Sequence, residues 1–320
     1  MEPSPSRNPD AFVSAQDSTL LLEAVARQAA GAEAGLFGPL SITWRINRES
    51  ALFLGAGRAA LLQLAHPWVA AALAEHSTVL DRPIARFHNT FRIVFTMVFG
   101  TLAQATNSAR HLYALHARIR GQLPQAVAAY ARGSHYRANE VAALRWVYAT
   151  LVESAVIAYE AVLPPLTAAE REQYYAESRT LSGLFGIPPH ALPQSWDNFV
   201  AYNQAMHASD ALGVSAGARA IAHSLMTGAG SWLHPPHWYR ALTAAWMPPR
   251  FREEFALEED PSSARRALRV LPHIYRRLPA AVRFSGPWQE AQARLALRPV
   301  GLLTQWSNRF WIGESRLPFA

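Results

Sequence analysis

Two stretches hold the side chains best placed to do chemistry: Arg86-Phe87-His88-Asn89-Thr90, and His111-Leu112-Tyr113-Ala114-Leu115-His116, which runs on to Gly121. Both read as helix, so helical periodicity decides which side chains meet in the interior. At 100° per residue, His116 falls within about 60° of Ala105, Ala109, Leu112 and Ile119, an apolar stripe. His111 lies about 140° away, beside Gln104, Asn107 and Arg118. His116 is therefore expected to face inward and His111 to face water. On the preceding helix Arg86, Thr90, Ile93 and Met97 share one stripe about 60° wide, with His88 and Arg92 opposite. An inward imidazole is either a hydrogen-bonded core residue or a ligand. An arginine on an apolar face must find partners. These are either carbonyls or a buried glutamate such as Glu153, or a ligand in a pocket floored by Ile93 and Met97.

Other polar groups stand in apolar company. His66 and His76 sit on and just after the apolar run that follows Ala51, and Tyr148, Thr150 and Glu153 interrupt the apolar stretch from Trp146. Each is either a satisfied core group or part of a site. Gly55-Ala56-Gly57-Arg58-Ala59-Ala60 matches a loose dinucleotide fingerprint, with Glu75 downstream, but that motif needs parallel strands around it. Close helix packing is the better account. No Glu-x-x-His or His-Glu-x-x-His occurs, which excludes carboxylate di-iron and zincin chemistry, and serine hydrolysis stays a background possibility.

Composition narrows the chemistry further. The chain of 320 residues has no cysteine, so disulfides, thiolate zinc sites, iron–sulfur clusters and cysteine-linked haem are excluded. All basic residues are arginine, which removes Schiff-base and phosphate-loop lysine chemistry. The net charge of +7 is spread out. Its densest run, Arg265, Arg266, Arg269, Arg276 and Arg277, reads as a solvated helix face, and no nucleic-acid partner is expected. Residues 1–17 are expected to form a disordered arm without signal-peptide character. The apolar window Leu52 to Ala74 is broken by Arg58, Gln63, His66 and Pro67, which argues for a core helix over a membrane span. A cytoplasmic protein follows as the expectation, with contact at a membrane surface left open.

The elements that must position these residues read as helices throughout. Ser18 to Ala32, Ala51 to Glu75 with a kink at Pro67, Asp81 to Phe99, Ala103 to Arg120, Leu123 to Arg132 and Asn139 to Val162 come first. Thr167-Ala168-Ala169-Glu170 is a capping box for the next helix, and Ser195 caps another. Residues 215–226 are ambiguous, helices continue to Arg277, and Phe284 onward is weakly patterned. The expected architecture is all-α, one domain over residues 18–320, with about ten helices.

Read in order, Gly57 to Pro67, His76-Ser77, Arg86 to Thr90, His116 to Gly121 and Trp146 to Ser154 resemble an oxygenase family. Its members include latex clearing protein, the rubber oxygenase, and the membrane-bound oxygenase of mycophenolic acid biosynthesis. The resemblance covers about residues 40 to 280. It implies a globin-like helical core holding non-covalent haem b, and dioxygen-dependent cleavage of a C=C bond in an apolar, isoprenoid-like substrate. Carried over by position, His116 is the axial ligand, and Arg86 and Thr90 lie over the distal face. His66, Met97 and Tyr148 are further expected cofactor contacts, and His76, beside Glu75, stands nearest the family's catalytic base. This chain departs by carrying Asn89 where rubber oxygenase has lysine, and Tyr148 where many relatives have histidine. A haem or ligand carrier without turnover, and a metal-free interaction protein, are the rival readings.

Overall fold

The helix that the others surround is α7, Val141–Glu160. In this computed structural model, which describes residues 12–76, 83–229 and 234–319, α7 is the one described helix long and apolar enough to cross a bilayer. It crosses the protein core instead. Leu144, Tyr148, Val152 and Val156 are buried at helical spacing, and Ala143, Trp146, Ala149 and Thr150 are buried on other sides. A helix apolar all round has to be covered all round. Its cover comes from α2 (Ile42–Asn47), a 3-10 turn at Ser50–Gly55, α3 (Ala56–Leu64) and a second 3-10 turn at Ser182–Phe185.

The long helix expected from Ala51 to Glu75 is three pieces: the 3-10 turn, α3, and α4 (Pro67–His76). Pro67 has no N–H to give to a continuing helix, so the chain restarts there, with the His66 carbonyl accepting from Ala70 N–H at 3.0 Å. Gly55 and Gly57 serve packing. A Cβ on Gly55 would lie 2.5 Å from the Ser154 carbonyl oxygen, and one on Gly57 would lie 2.8 Å from Thr243 Oγ1. The Gly57 N–H donates to the Tyr239 hydroxyl at 2.9 Å.

Further elements are α1 (Ala15–Ala26), α5 (Pro83–Phe99), α6 (Leu102–His116), α8 (Ala168–Leu181), α9 (Trp196–Ala208) and α10 (Ala216–Thr227). After them come α11 (His237–Trp246), α12 (Pro249–Glu254), α13 (Pro261–Tyr275), α14 (Ala280–Arg283), α15 (Gly286–Leu295) and α16 (Leu302–Ile312). The architecture is helical, as expected, but richer than ten helices. The Thr167–Glu170 box and Ser195 cap their helices as read. The first helix starts earlier than Ser18, because Ser14 and Asp17 form the capping box and Ser18 is buried inside the helix. No helix forms over 123–132. There the chain links two short antiparallel strands, β1 (Arg120–Gln122) and β2 (His135–Arg137). Pro124 has no N–H to give, and Gly133 takes a φ of +81° that closes the loop. The weakly patterned tail folds as α15 and α16, and the expected cap at Asp81 lies outside the described residues.

Replacing Gly55 by alanine is expected to cost about 1–3 kcal/mol, because its new methyl group meets backbone that cannot yield. Urea unfolding reads this as a lowered midpoint. Gly217→Ala is the control: its methyl would meet only Ser215 Oγ at 3.9 Å, and the midpoint stays or rises slightly.

Candidate functional site at the end of a helical hairpin

The site begins with the turn between α5 and α6. Gly100 ends α5 where a Cβ would lie 2.5 Å from the Thr96 carbonyl oxygen. Thr101 caps α6 in a capping box with Gln104. The two helices therefore run antiparallel, and the Ser108 hydroxyl donates to the Ile93 carbonyl at 3.4 Å. Counting one turn outward from that contact brings Thr90 level with Leu112, and a further turn brings the backbone at Arg86 level with His116. Ala105, Ala109 and Leu112 are buried and His111 is exposed, as periodicity predicts. Gln104, expected on the wet side, is buried, and its Nε2 donates to the Leu317 carbonyl at 3.1 Å.

His116 is the last residue of α6 and is half-buried. It lines a small cavity with Ala109, Tyr113, Leu144, Leu184, Phe185 and the N-terminal strap at Val13. The strap is held by Asn139: the Val13 N–H donates to the Asn139 carbonyl at 3.0 Å, and Asn139 Nδ2 donates to the Val13 carbonyl at 2.7 Å.

Just beyond His116 the strand pair meets the end of α4. The Tyr136 hydroxyl donates to Glu75 Oε2 at 2.6 Å, and His76 Nε2–H donates to the Arg120 carbonyl at 3.2 Å. Burial, then the bond to Glu75, pushes the Tyr136 phenol well above its ordinary range. Gly121 closes the motif because a Cβ there would lie 2.5 Å from the Tyr136 hydroxyl and 2.6 Å from Glu75 Oε2. Sequence reasoning flagged Gly121, Glu75 and His76 but not Tyr136 or Asn139, whose partners are distant in the chain.

The structure thus brings His116, His76 and the first turns of α5 to one end of the hairpin. Thr90 is half-buried there, and the Arg86 side chain lies outside the described residues. Met97 is fully buried in the core. Tyr148 sits behind the cavity wall, its ring 5.1 Å from that of Phe185, and its hydroxyl donates to the Ser178 carbonyl at 2.5 Å. Glu153 is the partner of Arg58, at 2.6 Å. Asn89 and Glu314 both accept from the Arg92 guanidinium. His66 lies apart, among the rings of Trp68 and Tyr130 at 5.9 and 5.8 Å.

A haem needs one axial side chain in largely apolar surroundings, and His116, among mainly aliphatic and aromatic neighbours with Ser18 and Asn139, has that donor chemistry. Among the described residues no three His, Asp or Glu gather to hold a bare ion instead. The space is another matter. The cavity measures about 10 Å³, room for about one water. A porphyrin does not fit this packing, and seating one at His116 requires the Val13 and Leu184–Gly186 wall to part.

A family model described as "ER-bound oxygenase mpaB/B'/Rubber oxygenase, catalytic domain" matches residues 43–284. No curated protein and no solved structure matches the chain.

His66 yields a pH prediction. It is 2 % exposed, and its Nδ1 has no hydrogen-bond partner among the described residues. Burial lowers its pKa from 6.5 to about 4. Below its ordinary value the unfolded chain takes up a proton that the folded protein refuses, so stability falls as pH drops through that window. The contribution is about 3 kcal/mol. Urea titrations at stepped pH should show this slope in the wild type and a flatter one in His66→Asn; equal slopes overturn the assignment.

Proposed function

Because the chain belongs to the mpaB/rubber oxygenase catalytic-domain family, we propose that this oxygenase is haem-dependent and uses dioxygen to cleave a C=C bond in an apolar, isoprenoid-like substrate. The observation that carries the reading is the half-buried imidazole of His116, facing a cavity walled by Ala109, Tyr113, Leu144, Leu184 and Phe185. His116 would hold the haem from the end of α6 once the Val13 and Leu184–Gly186 wall parts. When bound, the haem supplies the oxidative chemistry toward dioxygen and alkene.

The chain's own residues do the rest. Thr90, on the facing helix, and Arg86, one turn before it in the chain, would supply hydrogen-bond donors toward the reacting groups. Leu144, Leu184 and Phe185 supply the apolar wall beside His116. Such a wall favours an alkene chain over a polar ligand. His76, with Glu75 alongside, would be the group that takes or returns a proton.

Reconstitution with haemin is the direct measurement. The wild type is expected to develop a haem absorption band, and His116→Ala to bind haemin about 10–100-fold more weakly. An unchanged mutant titration removes His116 from the role. With reductant, dioxygen and an isoprenoid alkene, oxygen uptake and carbonyl products are expected. Haem binding without uptake would instead mark a carrier.

A further inference from the structure

The C-terminal helix α16 turns its apolar side outward. Leu302, Leu303, Trp306 and Phe310 are exposed by 74, 74, 68 and 52 %, and at 100° per residue they fall within an arc of about 100°. The opposite side carries the packing: Asn308 and Ile312 are buried, and Trp311 stacks on Phe53. An ordinary surface helix shows water its polar side, so a contiguous outward stripe of this kind marks a contact surface. The loop before α16 extends it. Leu297 is 95 % exposed and held at a φ of +53°, a conformation that costs a leucine strain.

Charge identifies the occupant. Between Ala291 and Gly313 there is no Asp or Glu, and the exposed charges are Arg298 and Arg309. The flanking carboxylates are engaged: Glu290 accepts from Asn308 Nδ2 and the Leu317 N–H, and Glu314 pairs with Arg92. Arg309 lies 5.9 Å from the Trp306 ring, so the cation and the aromatic ring stand side by side at one depth. A second copy placed on this face by two-fold symmetry would set arginine against arginine. Leucines with Trp and Phe, on a helix whose one charged residue is Arg309, suit the boundary between anionic headgroups and acyl chains.

We propose that α16 and the Leu297 loop form a docking surface for an anionic lipid bilayer, with Leu302, Leu303, Trp306 and Phe310 seated in the interface and Arg298 and Arg309 on the headgroups. This surface lies beyond residues 43–284, and its test needs neither haem nor substrate.

Flotation with vesicles decides it. The full chain is expected to float with vesicles of equal parts phosphatidylcholine and phosphatidylserine, and much less with phosphatidylcholine alone. The variant Leu303→Ser/Trp306→Ser alters only exposed side chains, and its circular dichroism and melting should match wild type while its partition falls roughly tenfold or more. Arg298→Gln/Arg309→Gln should lose the preference for phosphatidylserine. The proposal is overturned if wild type fails to float with the mixed vesicles, or if the Leu303/Trp306 variant floats equally well. It is also overturned if light scattering without lipid shows a wild-type dimer that this variant dissolves, which would make a second copy the occupant.

Discussion

A single buried guanidinium sets the geometry on which the rest depends. Arg58 is 3 % exposed, and its donors go to Glu153 at 2.6 Å, Ser154 Oγ at 2.9 Å and the Trp246 carbonyl at 3.0 Å. Three elements meet there: α3, α7 and the end of α11. A buried charge tolerates no loss of partner, since removing one half of such a pair costs about 3–5 kcal/mol. Gly55 sharpens the constraint by letting the chain approach the Ser154 carbonyl where any side chain would collide. Both arms of this junction lead to the site. Along α3 the chain reaches His66, restarts at Pro67 and ends α4 at Glu75 and His76. Along α7 it runs back through Tyr148 and Leu144 to Asn139, the wall and the clasp of the His116 cavity.

In the core around the site, burial keeps titratable groups uncharged. His66 is held neutral by burial, and the phenols of Tyr136 and Tyr148 are driven upward in pKa by the same cause. Arg92 is drawn toward Glu314 on the far side of α5. Beside the His116 imidazole the lining is mainly aliphatic and aromatic, with Ser18 and Asn139 as its polar members. A lining of this kind suits a neutral, largely apolar occupant.

Much of this was legible because it is local. Capping chemistry located α8 and α9, and periodicity separated buried Ala105, Ala109 and Leu112 from exposed His111. Where it fell short, the missing information was non-local. His116 sits on the apolar stripe yet is only half-buried, because α6 stops at that residue and no further turn covers it. Glu153 was a fitting partner for a buried arginine, but topology brings it to Arg58. The apolar pattern of Tyr148 marks it as buried without showing that the Ser178 carbonyl takes its hydroxyl. Over 123–132 the apolar spacing imitates a helix, and Pro124 and Gly133 override it. The stripe on α16 was unreadable for a different reason. Periodicity finds an amphipathic helix but cannot say which side the protein covers, and here the covered side is the one with Asn308 and Trp311.

The helix α5 joins these features. Phe87, Phe91, Phe95 and Phe99 follow one another at four-residue spacing, with ring centroids 4.6, 5.6 and 5.9 Å apart. Phe53 and Trp311 continue the series toward α16, and Trp44 continues it at 5.4 Å from Phe99 into the core beside α7. On one edge of this ladder His88 Nε2–H donates to the Phe310 carbonyl at 3.1 Å, and on another the Ile93 carbonyl receives Ser108. The helix is thus a shared wall, with α6 and His116 on one side and α16 on the other. Side chains packed in such a series cannot shift singly without opening voids. The outward surface of α16 and the hairpin end that holds His116 are therefore set relative to each other by one continuous aromatic row, and an apolar molecule arriving at α16 stands one helix away from the site.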